Sequence, residues 1–169
     1  LDFSKIEAGK LEIEHIEFDL QEEIDNIISM TADKIYNKDL EFILDYPRLI
    51  PNILKGDPLR IGQILINLIN NAVKFTEQGY VKLHISGPEQ YTIQKKYMVH
   101  ITIEDTGIGI PVSKQKDIFE AFYQVDGTVT RKYGGSGLGL AIISKLISMM
   151  KGKIKVSSQV GKGTTFTID

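Results

Sequence analysis

Nothing in the chain constrains its fold more than residues 58–76, which read as a helix that is apolar over most of its circumference and polar along one narrow stripe. At about 100° per residue, Arg60, Gln63, Asn67, Asn71 and Lys74 fall within an arc of roughly 80°. Ile61, Ile64, Leu65, Ile66, Leu68, Ile69, Ala72, Val73 and Phe75 cover the rest. A solvated helix face is wider and mixes charge signs. This stripe carries two cations, three amides and no carboxylate, which suits an anion or a metal already carrying anions. It points to a phosphate-bearing ligand, although a polar seam between helix and loop would present the same residues.

The flanking sequence supports the helix and orders the rest. Asp57 suits the cap and Pro58 the first helical position, and Gly79 closes the region. Upstream, residues 1–9 read as the last turns of a helix stopped by Gly9. A strand pattern follows at 11–18, then an amphipathic helix at about 20–36 with Ile24, Ile27, Ile28 and Ile35 at helical spacing, then a strand at 40–45. Downstream, Val81, Leu83 and Ile85 alternate with polar residues, as do Val99, Ile101 and Ile103, so a hairpin through Gly87-Pro88 is expected. A short helix at 112–122 leads into residues 123–137, which lack hydrophobic periodicity and read as a mobile loop. A last helix at 138–150 precedes two strands, at 153–157 and 164–168, turned at Gly161-Lys162-Gly163. The expected fold class is therefore α/β (α+β), a two-layer sandwich whose mixed, mostly antiparallel sheet is covered on one face by three helices.

Composition narrows the function classes. With 42% apolar and 25% charged content, 169 residues suffice for one globular domain with a real core. A net charge of -2 and dispersed lysines give no footprint for nucleic acid. The absence of cysteine removes disulfides, thiolate metal sites and thiol nucleophiles. No apolar run approaches the roughly 18 residues of a membrane span, and no direct membrane contact is expected. His15, His84 and His100 have no motif around them and read as surface residues.

Three further features carry chemistry beside the stripe. Asn67 and Asn71 stand one turn apart, with Lys74 beyond them. A hard amide oxygen plus a triphosphate is chemically sufficient for Mg²⁺, and Lys74 adds charge on the phosphates. Strand parity puts Asp105 on the core side with Ile101 and Ile103, where a carboxylate needs hydrogen bonds from local backbone or from a ligand amino group such as that of adenine. Glycines cluster at Gly107-Ile108-Gly109 and again at Gly134–Gly139, the latter opening a helix, where free N–H groups favour an anion and Ser136 adds a hydroxyl. Neither cluster fits a P-loop or a dinucleotide fingerprint. Between them, Arg131 and Lys132 suit a lid over phosphates. Phe119 and Phe122 read as core anchors.

The ordered set LINLINNAVKFT, EDTGIGIP, IFEAFYQ and GGSGLGLAI resembles the N, G1, F and G2 boxes of the ATP-binding catalytic domain of sensor histidine kinases, over residues 10–168. That family shares a superfamily with gyrase, the ninety-kilodalton heat-shock chaperone and the mismatch-repair ATPases. The start resembles the junction with the dimerisation helix in hybrid-type kinases, so residues 1–9 are expected to end that helix and 10–169 to form the ATP-binding domain. The resemblance implies ATP and Mg²⁺ as ligands. It makes Asn71 the Mg²⁺ ligand, Asn67 a polar contact at the phosphates, Lys74 a phosphate-binding cation and Phe75 a surface for adenine. Asp105 would accept from the adenine amino group, Gly107 and Gly109 would admit the base, and Thr164 would assist through water. Gly135, Ser136, Gly137, Leu138 and Gly139 would surround the phosphates. Tyr123 follows the F box, and Gln124 stands where some members carry an arginine, a role that Arg131 or Lys132 would take over. Implied partners are a histidine-bearing dimerisation domain of the same protein and a downstream response-regulator receiver domain. The implied location is cytoplasmic, whether or not the full-length protein is anchored in a membrane. Two other readings compete: a superfamily ATPase, which would need a Glu at the position of Asn67, and a nucleotide-binding interaction module without kinase activity.

Overall fold

The computed structural model describes Ile6 and residues 10–47, 50–51, 53–87, 98–123 and 137–169. The elements are β1 (Ile16–Asp19), α1 (Leu20–Tyr36), β2 (Glu41–Asp45), β3 (Ile53–Gly56), α2 (Pro58–Phe75), β4 (Tyr80–Ser86), β5 (His100–Asp105), α3 (Gly139–Met149), β6 (Ile154–Gln159) and β7 (Gly163–Ile168). Five strands form one sheet in the order β2-β4-β5-β7-β6. Only β2 and β4 run parallel, and β4-β5 and β6-β7 are antiparallel neighbours in sequence. The mixed, mostly antiparallel sheet under three helices is as the interleaved sequence pattern predicts.

Register explains why one sheet face is covered. Leu83, Ile103, Phe166 and Val156 lie abreast, and so do Ile85, Ile101, Ile168 and Ile154. These apolar rows meet Leu65, Leu68 and Ile69 of α2 and Ile143, Leu146 and Ile147 of α3 in a single core. The next row, Val81, Asp105, Thr164 and Ser158, is polar at three positions and marks the end of the sheet where the site is built. Residues of opposite parity make the other face polar. There His84 pairs with Asp45 at 2.9 Å and His100 with Asp169 at 2.7 Å, so these two half-buried histidines are tied down rather than simply solvated.

Local chemistry sets the helix bounds. Asp19 caps α1 by accepting from Gln21 and Glu22 N–H, and Leu20, Ile24, Ile27, Thr31 and Ile35 form its buried face. Asp57, only 2% exposed, caps α2 through Arg60 N–H and also accepts from Glu14 N–H, which ties the N-terminal segment to that helix.

Four expectations need correction. Of the strand expected at 11–18, only Ile16–Asp19 forms, and it pairs with β3 in a separate two-stranded sheet. β3 itself has no counterpart among the expected elements. The helix expected at 112–122 is two 3-10 turns, Val112–Lys114 and Asp117–Phe119. Phe119 does pack edge-on against Phe166, with ring centroids 6.3 Å apart. Phe122 is not a core anchor: it is 69% exposed, and its positive φ of 63° ends any helix there.

Candidate functional site

The polar stripe of α2 is real and lies half-buried along its length. Arg60 Nη1 donates to Gln63 Oε1 at 2.9 Å, and Asn71 Nδ2 donates to Asn67 Oδ1 at 3.2 Å. The second bond uses the amide nitrogen of Asn71 and leaves its Oδ1, the atom a hard cation requires. Lys74 Nζ stands 4.8 Å from the centre of the Phe75 ring, and partial burial lowers its pKa.

The last carbonyls of α2 are all accounted for. Ala72 O accepts from both Thr76 N–H and Thr76 Oγ1, and Phe75 O accepts from Ile108 N–H. Lys38 Nζ donates to Val73 O, Lys74 O and Thr76 O at 2.7, 2.8 and 2.9 Å. A cation at a helix C-terminus opposes the negative end of the dipole. Lys38 sits in the loop after α1 and had no signal in sequence, because its partners are backbone atoms brought together only by folding.

Asp105 ends β5 beneath the N box, 7% exposed. Its Oδ1 accepts from Gly107 N–H at 2.8 Å and from Thr164 N–H at 3.3 Å. Both readings of this residue therefore have room: local backbone uses Oδ1, while Oδ2 takes no bond from the described residues. Burial pushes its pKa up to about 6 against the lowering pull of those two N–H donors, with Glu104 adding to the rise. A carboxylate so placed suits a donor from a ligand.

The sign of that shift makes a prediction. A folded-state pKa of about 6 above an ordinary value of 3.8 means that the folded domain holds its proton more tightly. Stability of the unliganded domain should therefore fall as pH rises from about 4 to about 6, by on the order of 2 kcal/mol. Asp105→Asn should remove that slope and unfold at higher denaturant than the parent at neutral pH. Affinity for any ligand whose N–H donates to this carboxylate should run the other way, climbing up to about tenfold per pH unit until the carboxylate is ionised. Calorimetric titrations at several pH values check this, and a flat parent profile would overturn it.

The first glycine cluster wraps this carboxylate. A Cβ on Gly107 would stand 2.5 Å from Phe75 O and 2.9 Å from Asp105 Oδ1, and one on Gly109, whose φ is +72°, would stand 2.1 Å from Gln159 O. Only glycine lets the loop pass between α2 and the β6–β7 hairpin. Of the second cluster, Gly137, Leu138 and Gly139 are described. A Cβ on Gly139 would stand 2.9 Å from Asn67 Oδ1, so the start of α3 backs directly onto the stripe. Leu138, its cap residue, makes no side-chain cap bond, so the N–H groups of the first turn keep their capacity for an anion. Gly137 O accepts from Phe122 N–H at 3.0 Å, and a Gly137 Cβ would stand 2.9 Å from Tyr123 O. The Tyr123 hydroxyl is buried with no partner among the described residues. Arg131, Lys132, Gly135 and Ser136 lie outside the described residues.

Contacts thus link Thr164, Asp105, Gly107, Phe75 and Lys74, and link Asn71, Asn67, Gly139, Gly137 and Tyr123; Lys74 and Asn71 stand one turn apart on α2. Two residues that the sequence reading missed brace the loop beside Asp105. Ser158 Oγ accepts from Ile110 N–H at 2.8 Å, and Gln115 Nε2 donates to Ile110 O and Ser158 O.

A buried acceptor at one end, and amides, a cation and a helix terminus with no side-chain cap bond at the other, define a nucleotide-binding domain. Comparison with known proteins gives the family. The chain belongs to the histidine kinase-, DNA gyrase B-, and HSP90-like ATPases, whose family model matches residues 56–169. It is 42% identical over 166 residues to the signal transduction histidine-protein kinase BarA of Escherichia coli, covering 98% of this chain and 18% of that protein. It is 44% identical over 171 residues to hybrid signal transduction histidine kinase A of Dictyostelium discoideum, covering 98% of this chain and 8% of that one. Among solved structures, full-length ShkA in complex with AMPPNP superposes with a TM-score of 0.84 at 30% identity, over 99% of this chain and 33% of that chain. The catalytic domain of histidine kinase ThkA gives 0.68 at 29% identity, over 92% of this chain and 93% of that chain. The chain spans less than a fifth of the length of these curated relatives and corresponds to the ATP-binding catalytic domain of histidine kinases. Among the described residues, no helix is long and apolar enough to cross a membrane.

Proposed function

We propose that residues 10–169 bind Mg-ATP and pass its γ-phosphoryl group to a histidine on a dimerisation domain of the same protein, with residues 1–9 as the end of that domain's helix. A receiver domain would take the phosphoryl group downstream, and this domain would work in the cytoplasm. The observation that carries the reading is the placement of the buried Asp105 against the end of α2 by way of Gly107 and Phe75, with Asn71 and Asn67 of the same helix set against the start of α3. Asp105 Oδ2 accepts from the adenine amino group, which also disfavours guanine, whose carbonyl would face the carboxylate. Asn71 Oδ1 fits Mg²⁺, with Lys74 and the α3 terminus sharing the phosphate charge. Bound there, the ion would neutralise and align the phosphates, the main task in phosphoryl transfer.

The chain's own groups then position rather than react. Asn67, between Asn71 and Gly139, orients the terminal phosphate, and Lys74 offsets its charge. An amide cannot take a proton from water, so hydrolysis has no base at Asn67. Phe75 lies against the base and Thr164 assists through water. Tyr123 supports a lid in which Arg131 or Lys132 reaches the phosphates, and Gly135 and Ser136 complete the glycine cradle.

Titration calorimetry with ATP, with and without Mg²⁺, tests the binding. Mixing the domain with a histidine-bearing dimerisation fragment and labelled ATP tests the transfer. Binding with transfer and little free hydrolysis is expected. Binding without transfer would leave a regulatory module, and rapid hydrolysis by the domain alone would make it an ATPase.

A further inference from the structure

We propose that Gln115 is a positioning residue that sets affinity for the adenine end of the nucleotide while leaving the phosphoryl-transfer step untouched; this rests on the nucleotide reading above. Gln115 closes the first 3-10 turn and is half-buried. Its Nε2 donates to Ile110 O at 3.0 Å and to Ser158 O at 2.8 Å. Both partners are carbonyl acceptors, so of the two ends of the Gln115 amide only the NH₂, with its two donors, can face them, and this fixes which way the amide points. Ile110 N–H is held by Ser158 Oγ at 2.8 Å, and that hydroxyl also bonds Gly163 O at 2.8 Å and lies 3.0 Å from Thr164 Oγ1. Gln115 and Ser158 therefore grip both backbone groups of Ile110. Together they join the loop of Gly107 and Gly109 to the hairpin whose Thr164 N–H bonds Asp105.

The loop is ordered from three sides. Ile108 N–H donates to Phe75 O at 3.2 Å, and Gly161 N–H donates to Ile108 O at 2.8 Å. Those two bonds hold the loop's first half, and the Gln115 bridge holds its second. Without the bridge, the second half keeps only the Ser158 Oγ bond to Ile110 N–H, the Gly107 N–H that shapes the acceptor at Asp105 is anchored less firmly, and binding must order more of the loop itself.

Gln115→Met keeps length and packing but removes both donors. ATP affinity of the isolated domain should weaken about tenfold, the order of one or two lost hydrogen bonds. The transfer rate at saturating ATP to a histidine-bearing dimerisation fragment should stay within about twofold of the parent. A structural role alone would lower both. Unchanged ATP affinity in a parent that binds well, or an equal fall in the saturated rate, would overturn the strut while leaving the nucleotide reading standing. Failure of the parent to bind ATP would remove both. Should Gln115→Met not fold, Gln115→Glu decides: it keeps the size of the side chain but offers no NH₂ to Ile110 O and Ser158 O, so ATP affinity should fall at least as far, and parental affinity would refute the proposal.

Discussion

Asn71→Ala should lower the rate of phosphoryl transfer from ATP by at least about a hundredfold, some 3 kcal/mol of transition-state stabilisation, and should make ATP binding insensitive to Mg²⁺. The side chain lost is one whose amide nitrogen is already engaged with Asn67 and whose Oδ1 is the hard oxygen of the stripe. Alanine is the best helix former, and position 71 lies well inside α2, so the helix itself loses nothing by the change. Asn67 Oδ1 would lose one donor but is only half-buried, where water can replace it. The expected loss is thus chemical rather than structural. Asn71→Asp, which keeps an oxygen, should retain part of the activity. Labelled-ATP transfer, with unfolding measured in parallel, checks this; a rate for the alanine variant within threefold of the parent would dismiss Asn71 as the metal ligand.

What could be read in advance followed from asymmetry along the chain. α2 declared itself because its stripe is narrow, its cap is Asp57 and its first residue is Pro58, and all three signals are local. Asp105 declared itself because strand alternation is strict in β5, so a carboxylate in phase with Ile101 and Ile103 had to face inward. β3 stayed hidden because four residues with little alternation carry no period, and its pairing with β1 is decided by the chain reversal around α1 and β2. The segment at 112–122 has apolar residues at helical spacing, but a helix that short is marginal in isolation. Anchoring of Phe119 on Phe166 and the left-handed backbone at Phe122 decide its shape instead. Lys38, Gln115 and Ser158 escaped notice for a common reason. Each acts on backbone carbonyls or amides, which have no identity in sequence, so any polar residue in a loop reads like them until the fold supplies the partner.

The same distinction predicts where stability and chemistry meet. Lys38 binds no ligand in the proposed mechanism, yet it holds the end of the helix that carries Asn71 and Lys74. Its ammonium donates to three carbonyls within 2.9 Å, and hydrogen bonds from a charged donor contribute about 1.5–3 kcal/mol each when well made. Partial exposure lets water take over some of this. Lys38→Met, which preserves the aliphatic stem, should therefore destabilise the domain by about 3 kcal/mol, a fall of roughly 6–12 °C in Tm for a domain of this size. Lys38→Arg should recover little, since a planar guanidinium cannot aim three donors at carbonyls that converge on a point. Because Ile108 N–H bonds Phe75 O at that same helix end, the loss should spread to the base end of the site and weaken ATP binding more than the fall in stability alone would. Denaturant unfolding and ATP titration of the three proteins give the answer. A Met variant within about 0.5 kcal/mol of the parent would mean that water caps α2 as well as the lysine does.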